Sequence, residues 1–242
     1  ISIEFRSKYP SPMWRAYWDY SFFLSSILAV FLFGIVAGNA MEGTPVGADH
    51  EMHGRLLDLL GLYPVSVGLF AIATAAMHAA IYLHLKTEGA LHERSRGWMW
   101  RTFFAFLATY ALVTVATFLE APHALANFQR WPAAWIIVAL NALSIANIPR
   151  AIHLRRPAYA FVSSSCTIAA LVFLFGMALF PNLVVSSTDA AWSLTVYNAC
   201  STHHTLRLLT IIAFLGATMV LSYTAIVYWV FRGKVKLGDT SY

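Results

Sequence analysis

Six long stretches of this chain contain no Asp, Glu, Lys or Arg, and they constrain the fold more than any other feature. They cover residues 20–38, 62–85, 102–119, 131–149, 158–180 and 208–231. A helix needs about 20 apolar residues to cross the hydrocarbon core of a bilayer, and each stretch meets that need. Membrane β-strands would show short segments of alternating hydrophobicity instead. We therefore predict an all-α membrane protein: a polytopic bundle of about six transmembrane helices, forming a single domain over residues 1–242.

The composition agrees with lipid as the solvent of this chain. Hydrophobic residues make up 59% and charged residues only 11%, which leaves too few polar side chains to cover a water-soluble globule of 242 residues. The formal net charge of +5 needs no nucleic-acid partner, because the basic residues are spread over the flanks of the predicted helices. We therefore expect no nucleic-acid binding.

The basic residues are distributed unequally between the two sides of the predicted membrane segments. Of the 16 lysines and arginines, three lie on one side: Arg55, Arg130 and Arg207. The other side carries Arg6, Lys8, Arg15, Lys86, Arg94, Arg96, Arg101, Arg150, Arg155, Arg156, Arg232, Lys234 and Lys236. By the positive-inside rule, both ends of the chain face the cytoplasm of a bacterial inner membrane. The chain opens with Ile1 on a charged flank, so we expect that its natural start is missing.

Histidine placement argues against haem ligation by this chain. Of nine histidines, only His78 lies deep in a predicted helix, whereas a membrane haem normally needs axial ligands at matching depth on facing helices. The loop residues Asp49, His50, Glu51 and His53 have a spacing that is common by chance. We therefore predict no metal site, and we find no set of catalytic residues in the chain.

Ionisable residues near or within the predicted helices are candidates for proton transfer. Glu4 lies four residues before Lys8, a helical pairing distance. Asp19 lies at the predicted start of the first membrane helix. One interpretation is structural: Glu4 and Lys8 form an interfacial ion pair, and Asp19 is a carboxylate at a helix start. The other is that these three residues form a cytoplasmic entrance for protons. His78 is either a buried hydrogen-bonded residue or part of a polar path. The candidates for a proton path are thus Glu4, Lys8, Asp19 and His78.

Several short motifs follow one another in a characteristic order. They are Phe5–Lys8 with Trp14-Arg15 and Trp18-Asp19, Phe33–Asn39 followed by Glu42–Pro45, Lys86–Gly89, Ala158–Ser165, Phe180-Pro181, Ser193–Thr195, Tyr197–Ala199 and Tyr223–Ala225. In this order they resemble subunit II of the cytochrome bd quinol oxidase family, including its cyanide-insensitive branch. The resemblance covers nearly the whole chain, but the family's first two membrane crossings are absent from it.

The resemblance implies an oxidoreductase that works only as a complex. Subunit I would hold two b-type haems and haem d, oxidise quinol and reduce dioxygen to water. This chain would bind no haem, scaffold subunit I and line a proton path from the cytoplasm. The family's acidic residue and lysine near the entrance of that path match Glu4, in place of the more usual Asp, and Lys8; its C-terminal tyrosine matches Tyr242.

Partner contacts and two other functions are also considered. We expect the small residues Gly34, Ala37 and Gly38 to pack against subunit I, because they permit close helix approach. A small accessory subunit, bound lipid and a structural quinone stay open, as does the identity of the quinone. The alternatives are a standalone transporter that uses His78 with the polar helix residues Asn141, Asn147, Ser163 and Thr167, and a haem-binding cytochrome b subunit.

Overall fold

Six long helices dominate the computed structural model, which describes residues 1–235. The helices are α1 (Ser2–Arg6), α2 (Pro12–Glu42), α3 (Leu62–Lys86), α4 (Gly89–Glu120), α5 (Ala126–Arg130), α6 (Trp135–His153), α7 (Pro157–Leu179) and α8 (His203–Val230). A short antiparallel pair joins β1 (Asn182–Val184) and β2 (Leu194–Thr195). All helices except α1 and α5 are long and apolar enough to cross a membrane, as predicted. Lys236 and Tyr242 lie outside the described residues.

Successive long helices run in opposite directions, so the connections between them lie alternately at the two ends of the bundle. We call one the basic end; it carries the start of α2, the α3–α4 turn, the α6–α7 turn and the end of α8. The other is the opposite end. It carries the loop between α2 and α3, the α4–α6 connection and the segment between α7 and α8.

The charged segment before the third membrane span is helical. The predicted span begins at Thr102, but α4 begins at Gly89. Only Thr87 and Glu88 separate α3 from α4, and Gly89 has a φ of +66°, which glycine adopts without steric cost. Charge keeps a residue out of the hydrocarbon core but does not stop a helix, since Leu, Glu and Arg are good helix formers.

Pro149 lies inside α6 and does not end it, which corrects the sequence prediction. Proline lacks an N–H group, so the Ile145 carbonyl loses its helical partner. The helix nevertheless continues to His153, and Leu154 N still donates to Arg150 O at 3.0 Å. In a membrane, ending the helix would free several more backbone groups, which costs more than one lost hydrogen bond. Pro157, by contrast, is the first residue of α7.

The central helix is α3, which contacts α2, α4 and α7. Its contact with α2 depends on glycine, because a Cβ atom added at Gly34 would lie 2.6 Å from Gly68 Cα, and one added at Gly38 would lie 2.6 Å from Pro64 Cα. On its other sides α3 shares a core with α4, α6 and α7, in which Met77, Phe106 and Ile148 are fully buried.

This packing corrects the expected contact of the small residues with subunit I. Gly34 and Gly38 are already occupied by α3 of the same chain, and Ala37 lines a cavity inside the bundle. Small residues permit close approach of any helix, so the sequence predicts a tight contact but does not identify the partner.

Helix α8 differs from the other spans because none of its residues is buried. It is joined to the bundle at the basic end, where Lys86 Nζ donates to Phe231 O at 2.6 Å and to Gly233 O at 3.2 Å. Lys234 Nζ lies 3.6 Å from Glu88 Oε1, and Val235 N donates to Lys86 O at 2.9 Å. These contacts tie the end of α8 to the end of α3.

The segment after α7 crosses the loop after α2 and covers the opposite end. Thr44 N donates to Val185 O at 2.9 Å, and Ser187 N donates to Thr44 O at 2.9 Å. The buried Ser186 hydroxyl donates to Val46 O at 2.9 Å. Side-chain contacts add to this, since Asn39 Nδ2 donates to both Ile35 O and Leu59 O. Sequence analysis did not predict the β1–β2 pair.

Hydroxyl groups within the spans are mostly satisfied by their own helix. These hydroxyl groups donate hydrogen bonds to backbone carbonyl oxygens one turn earlier. The pairs are Ser26 to Phe22, Thr74 to Phe70, Thr109 to Ala105, Thr114 to Tyr110, Thr117 to Val113, Thr167 to Ser163, Thr210 to Leu206 and Thr218 to Phe214. Such bonds remove the cost of placing an unpaired O–H donor in lipid.

We expect Gly34→Ala to lower stability by about 1–3 kcal/mol, because the new methyl group forces α2 away from α3. Gly176→Ala is the matched control, since its Cβ would have no neighbour within 4 Å. The thermal midpoints of the two variants in detergent would be compared with that of the unsubstituted protein. Equal midpoints would contradict glycine-dependent packing.

Candidate functional site

The candidate residues of the N-terminal flank do not form the expected pair. Helix α1 ends at Arg6, so Lys8 lies beyond it, and the three ion pairs found among residues 1–235 do not include Glu4 with Lys8. Instead Arg6 Nε donates to Asp19 Oδ1 at 2.6 Å, and both side chains stay about half exposed. The pKa of the Arg6 guanidinium is raised, first by its hydrogen bond to Asp19 and second by the negative charge of that carboxylate.

Asp19 lies seven residues into α2 rather than at the start of its helix. Trp14, one turn earlier, donates its indole N–H to Phe5 O at 2.8 Å and holds α1 against α2. The carboxylate of Asp19 therefore sits at the basic end with a fixed cationic partner. Glu4 and Lys8 are exposed near it.

His78 is a half-buried, hydrogen-bonded residue of α3. Its Nδ1 lies 2.9 Å from Ser164 Oγ, and its ring packs on Phe161 at 5.1 Å between centroids. The Ser164 hydroxyl also lies 2.9 Å from Phe161 O, and when it donates to that carbonyl its oxygen accepts a hydrogen bond from His78 Nδ1. In that tautomer Nε2 is the acceptor nitrogen of the ring.

A second polar chain enters the bundle between α6 and α7. Arg150 Nη1 donates to Asn147 Oδ1 at 3.1 Å, and Asn147 Nδ2 donates to Ser163 Oγ at 2.7 Å. Ser163 is only 7% exposed. Of the polar residues considered for a transporter, Asn147 and Ser163 are thus in direct contact.

Asn141, deeper in α6, is 1% exposed. Its Nδ2 lies 3.5 Å from the Tyr110 hydroxyl, and its Oδ1 has no hydrogen-bond partner among the described residues. Thr167 is fully buried and donates to Ser163 O within α7. The polar residues named from the sequence therefore belong to separate small clusters.

An apolar cavity of about 280 Å³ lies between the helices toward the opposite end. Its walls come from α2, α3, α4, α6, α7 and the α4–α6 connection, and they include Ala37, Phe70, Phe128 and Leu174. At its polar edge the Tyr63 hydroxyl lies 3.0 Å from Thr117 Oγ1. Sequence analysis did not find this cavity, because residues from five helices form it and no local pattern marks it.

Two histidines pack face to face at the α3–α4 turn, which sequence analysis also missed. The rings of His84 and His92 stack at 3.7 Å between centroids. His84 Nδ1 lies 3.1 Å from His92 O, and His92 Nδ1 lies 3.0 Å from His84 O. Since carbonyl oxygens only accept, both rings donate from Nδ1 and fasten the turn.

This histidine arrangement does not suit bis-histidine haem ligation. His78 and His84 lie on the same helix, and the other histidines lie in loops or in the terminal turns of helices. Within residues 1–235 no group of three or more His, Cys, Asp or Glu side chains could hold a metal ion. In the loop considered for a metal, His53 Nε2 lies 2.9 Å from Asp49 Oδ1, and this hydrogen bond lowers the pKa of Asp49.

We expect Ser163→Ala to cost about 0.6–1 kcal/mol, because the Asn147 amide loses its interhelical acceptor. The control is Ser165→Ala on the same helix, since that hydroxyl donates only to Phe161 O one turn earlier. Thermal unfolding in detergent would measure both. A larger loss of stability for Ser165→Ala would contradict the assignment.

Comparison with known proteins gives one consistent family. The sequence model described as "Cytochrome bd terminal oxidase subunit II" matches residues 1–231. The chain is 28% identical to cytochrome bd-I ubiquinol oxidase subunit 2 of Escherichia coli K12, over 99% of this chain and 71% of that protein. It is 25% identical to cytochrome bd ubiquinol oxidase subunit 2 of Bacillus subtilis, over 97% of this chain and 69% of that protein.

A solved structure supports the fold independently of sequence. The bd oxidase of Geobacillus thermodenitrificans contains a chain that superposes with a TM-score of 0.73 at 16% identity, covering 92% of this chain and 66% of that one. The present sequence therefore spans about two thirds of its solved relative's length. From the family match over residues 1–231, this chain belongs to the cytochrome bd terminal oxidase subunit II family, whose members are subunits of an oxidoreductase complex.

Proposed function

We propose that this chain is the haem-free subunit II of a bd-type quinol:dioxygen oxidoreductase in a bacterial inner membrane, and that it scaffolds the haem-bearing subunit I. The observation that carries this proposal is the family match over residues 1–231. The placement of the histidines supports a haem-free role, because His78 and His84 lie on the same helix and the other histidines lie in loops or in terminal turns of helices, away from the depth of His78. We place the basic end in the cytoplasm by the positive-inside rule.

The direct test is purification of the full-length protein through a tag on this chain in mild detergent. The dithionite-reduced spectrum and quinol-driven oxygen uptake are then recorded. A haem d band and oxygen uptake that are lost when a larger co-purifying subunit dissociates would support the proposal. A colourless chain that is monodisperse without a partner would favour a transporter, and haem retained on the isolated chain would favour a cytochrome b subunit.

The proposed contribution to chemistry is a hydrated entry for protons at the basic end. Glu4 and Lys8 are exposed there, and the Asp19 carboxylate is about half exposed beside Arg6. His78 is the candidate for an inner relay, because its Nδ1 is hydrogen-bonded to Ser164 and its Nε2 has no hydrogen bond among residues 1–235. No hydrogen bond among residues 1–235 links Asp19 directly to His78, so this route requires water molecules between them.

If His78 relays protons, His78→Leu lowers quinol-driven oxygen uptake about ten-fold, equivalent to about 1.4 kcal/mol in the barrier. The control is His204→Gln, at an exposed position at the opposite end. Proton uptake by the complex in liposomes, followed with an internal pH indicator, separates relay from damage when the haem spectrum is unchanged. Unchanged uptake in His78→Leu would exclude His78 from the path.

We also propose that the apolar cavity holds a lipid chain or a structural quinone. Its lining is mostly apolar, and its hydroxyl groups belong to Tyr63, Thr117, Tyr110 and Thr114, of which Tyr63 and Thr117 are hydrogen-bonded to each other. A long apolar ligand with a small polar head matches this distribution.

For this cavity we expect Ala37→Phe to remove most of the co-purifying quinone or lipid, because the ring would fill space next to Met41 and Val67. Val36→Phe is the matched control, since Val36 is 67% exposed on the outer face of the same helix. Solvent extraction followed by liquid chromatography measures the bound molecule. Equal retention in both variants would contradict the proposed site.

A further inference from the structure

A second cavity, at the basic end, differs in character from the apolar one. It has a volume of about 210 Å³ and lies beside the α6–α7 turn. Its lining consists of Asn147, Arg150, Ala151, Leu154, Arg156 and Tyr159. Two arginines and one asparagine thus border a common space, and the lining includes no carboxylate.

The two arginines are held in place by neighbouring side chains. Arg150 donates to Asn147 Oδ1 at 3.1 Å, and Asn147 is itself anchored to the buried Ser163 hydroxyl at 2.7 Å. The Arg156 guanidinium lies over the Tyr159 ring, 5.6 Å from its centroid. Such anchoring lowers the conformational entropy that a side chain loses when it binds a ligand.

The backbone of the turn is fixed as well. Arg156 N donates to Ala151 O at 2.9 Å and Arg155 N donates to Ile152 O at 3.1 Å, which closes the end of α6 in a Schellman motif. Arg155 takes the left-handed position of this motif, with φ at +55°, where glycine is the usual residue. Arg150 and Arg156 line the cavity and Arg155 does not, so the turn separates Arg155 from the other two arginines.

The charge of this cavity is not neutralised within the described chain. The ion pairs among residues 1–235 involve Arg6, His53 and Lys234, and none includes Arg150 or Arg156. Guanidinium groups bind phosphate oxygens through several parallel N–H donors. A phosphate group is therefore the ligand chemistry that fits two fixed arginines.

The surroundings indicate where that phosphate comes from. Leu154 and Tyr159 border the cavity and are 50% and 60% exposed, and Leu143 and Val162 on the same two helices are 67% and 57% exposed. A ligand bound here would have its phosphate at the arginines and apolar chains along α6 and α7. Phospholipids of the adjacent leaflet have this structure, and basic pockets between membrane helices on the cytoplasmic side bind anionic lipids.

We infer that the Arg150–Arg156 cavity binds the phosphate of an anionic phospholipid of the cytoplasmic leaflet. The inference uses the proposed orientation but not the oxidase activity. Topological charge bias alone explains why arginines occur in this turn, but it makes Arg150, Arg155 and Arg156 equivalent. Only Arg150 and Arg156 line the cavity, so the inference predicts that they contribute more to lipid binding than Arg155 does.

The test compares three substitutions of matched chemistry: Arg150→Gln, Arg156→Gln and, as a control, Arg155→Gln. The full-length chain in its purified complex is exchanged into nanodiscs of phosphatidylcholine containing a labelled phosphatidylglycerol probe. Native mass spectrometry of the protein released from them measures probe retention. We expect about five-fold weaker retention for each cavity variant and less than two-fold for Arg155→Gln.

Three outcomes would overturn the inference. Equal losses in all three variants would indicate diffuse charge attraction. Unchanged retention in both cavity variants would exclude the site, provided that their elution on size exclusion matches the unsubstituted protein. Displacement of the probe by millimolar inorganic phosphate would indicate a site for free phosphate rather than lipid. Probe retention is measured independently of the haem spectrum and of oxygen uptake. Failure of the lipid-binding inference can therefore be distinguished from failure of the oxidase proposal.

Discussion

The close approach of α2 and α3 at Gly34, Gly38 and Gly68 is the contact on which the rest of the bundle depends. A helix pair in lipid gains little from burying apolar side chains, because the surrounding chains are equally apolar. Its stability comes from close packing and from hydrogen bonds. The glycines bring the two backbones together along the first half of α3, and other faces of α3 contact α4 and α7. A single central helix thus fixes the positions of three others.

The polar groups of the bundle divide into three kinds according to how they are satisfied. Some complete the fold at the membrane surface, such as the stacked pair His84 and His92 and the Lys86 contacts with the end of α8. Some link helices inside the bundle, such as Asn147 with Ser163. Asn141 belongs to neither kind, because its Oδ1 is buried without a partner among the described residues.

The spans were predictable from the sequence because the cost of charge in hydrocarbon acts on each residue separately. The absence of charged residues shows which part of a helix lies in the hydrocarbon core but not where the helix begins, so the predicted start of α4 was too late. Pro149 was taken as a boundary because proline breaks helices in water, where the freed backbone groups find other partners. The glycines Gly34 and Gly38 were correctly expected to pack tightly but were assigned to the wrong partner. The two cavities and the contacts of Asp19 and His78 depend on which helices are adjacent, and no local pattern contains that information.

The hydroxyl groups that donate within their own helices have a consequence for biogenesis. A serine or threonine whose proton is already bound one turn earlier does not need a neighbouring helix, so each span can enter the bilayer alone. Assembly can then follow insertion, because side-chain oxygens such as Ser164 Oγ and Thr117 Oγ1, which donate to Phe161 O and Val113 O, can still accept a second bond from a neighbouring helix. The polar contacts between helices are therefore made last, as separately inserted spans associate, and they select the pairing of helices without impeding their insertion.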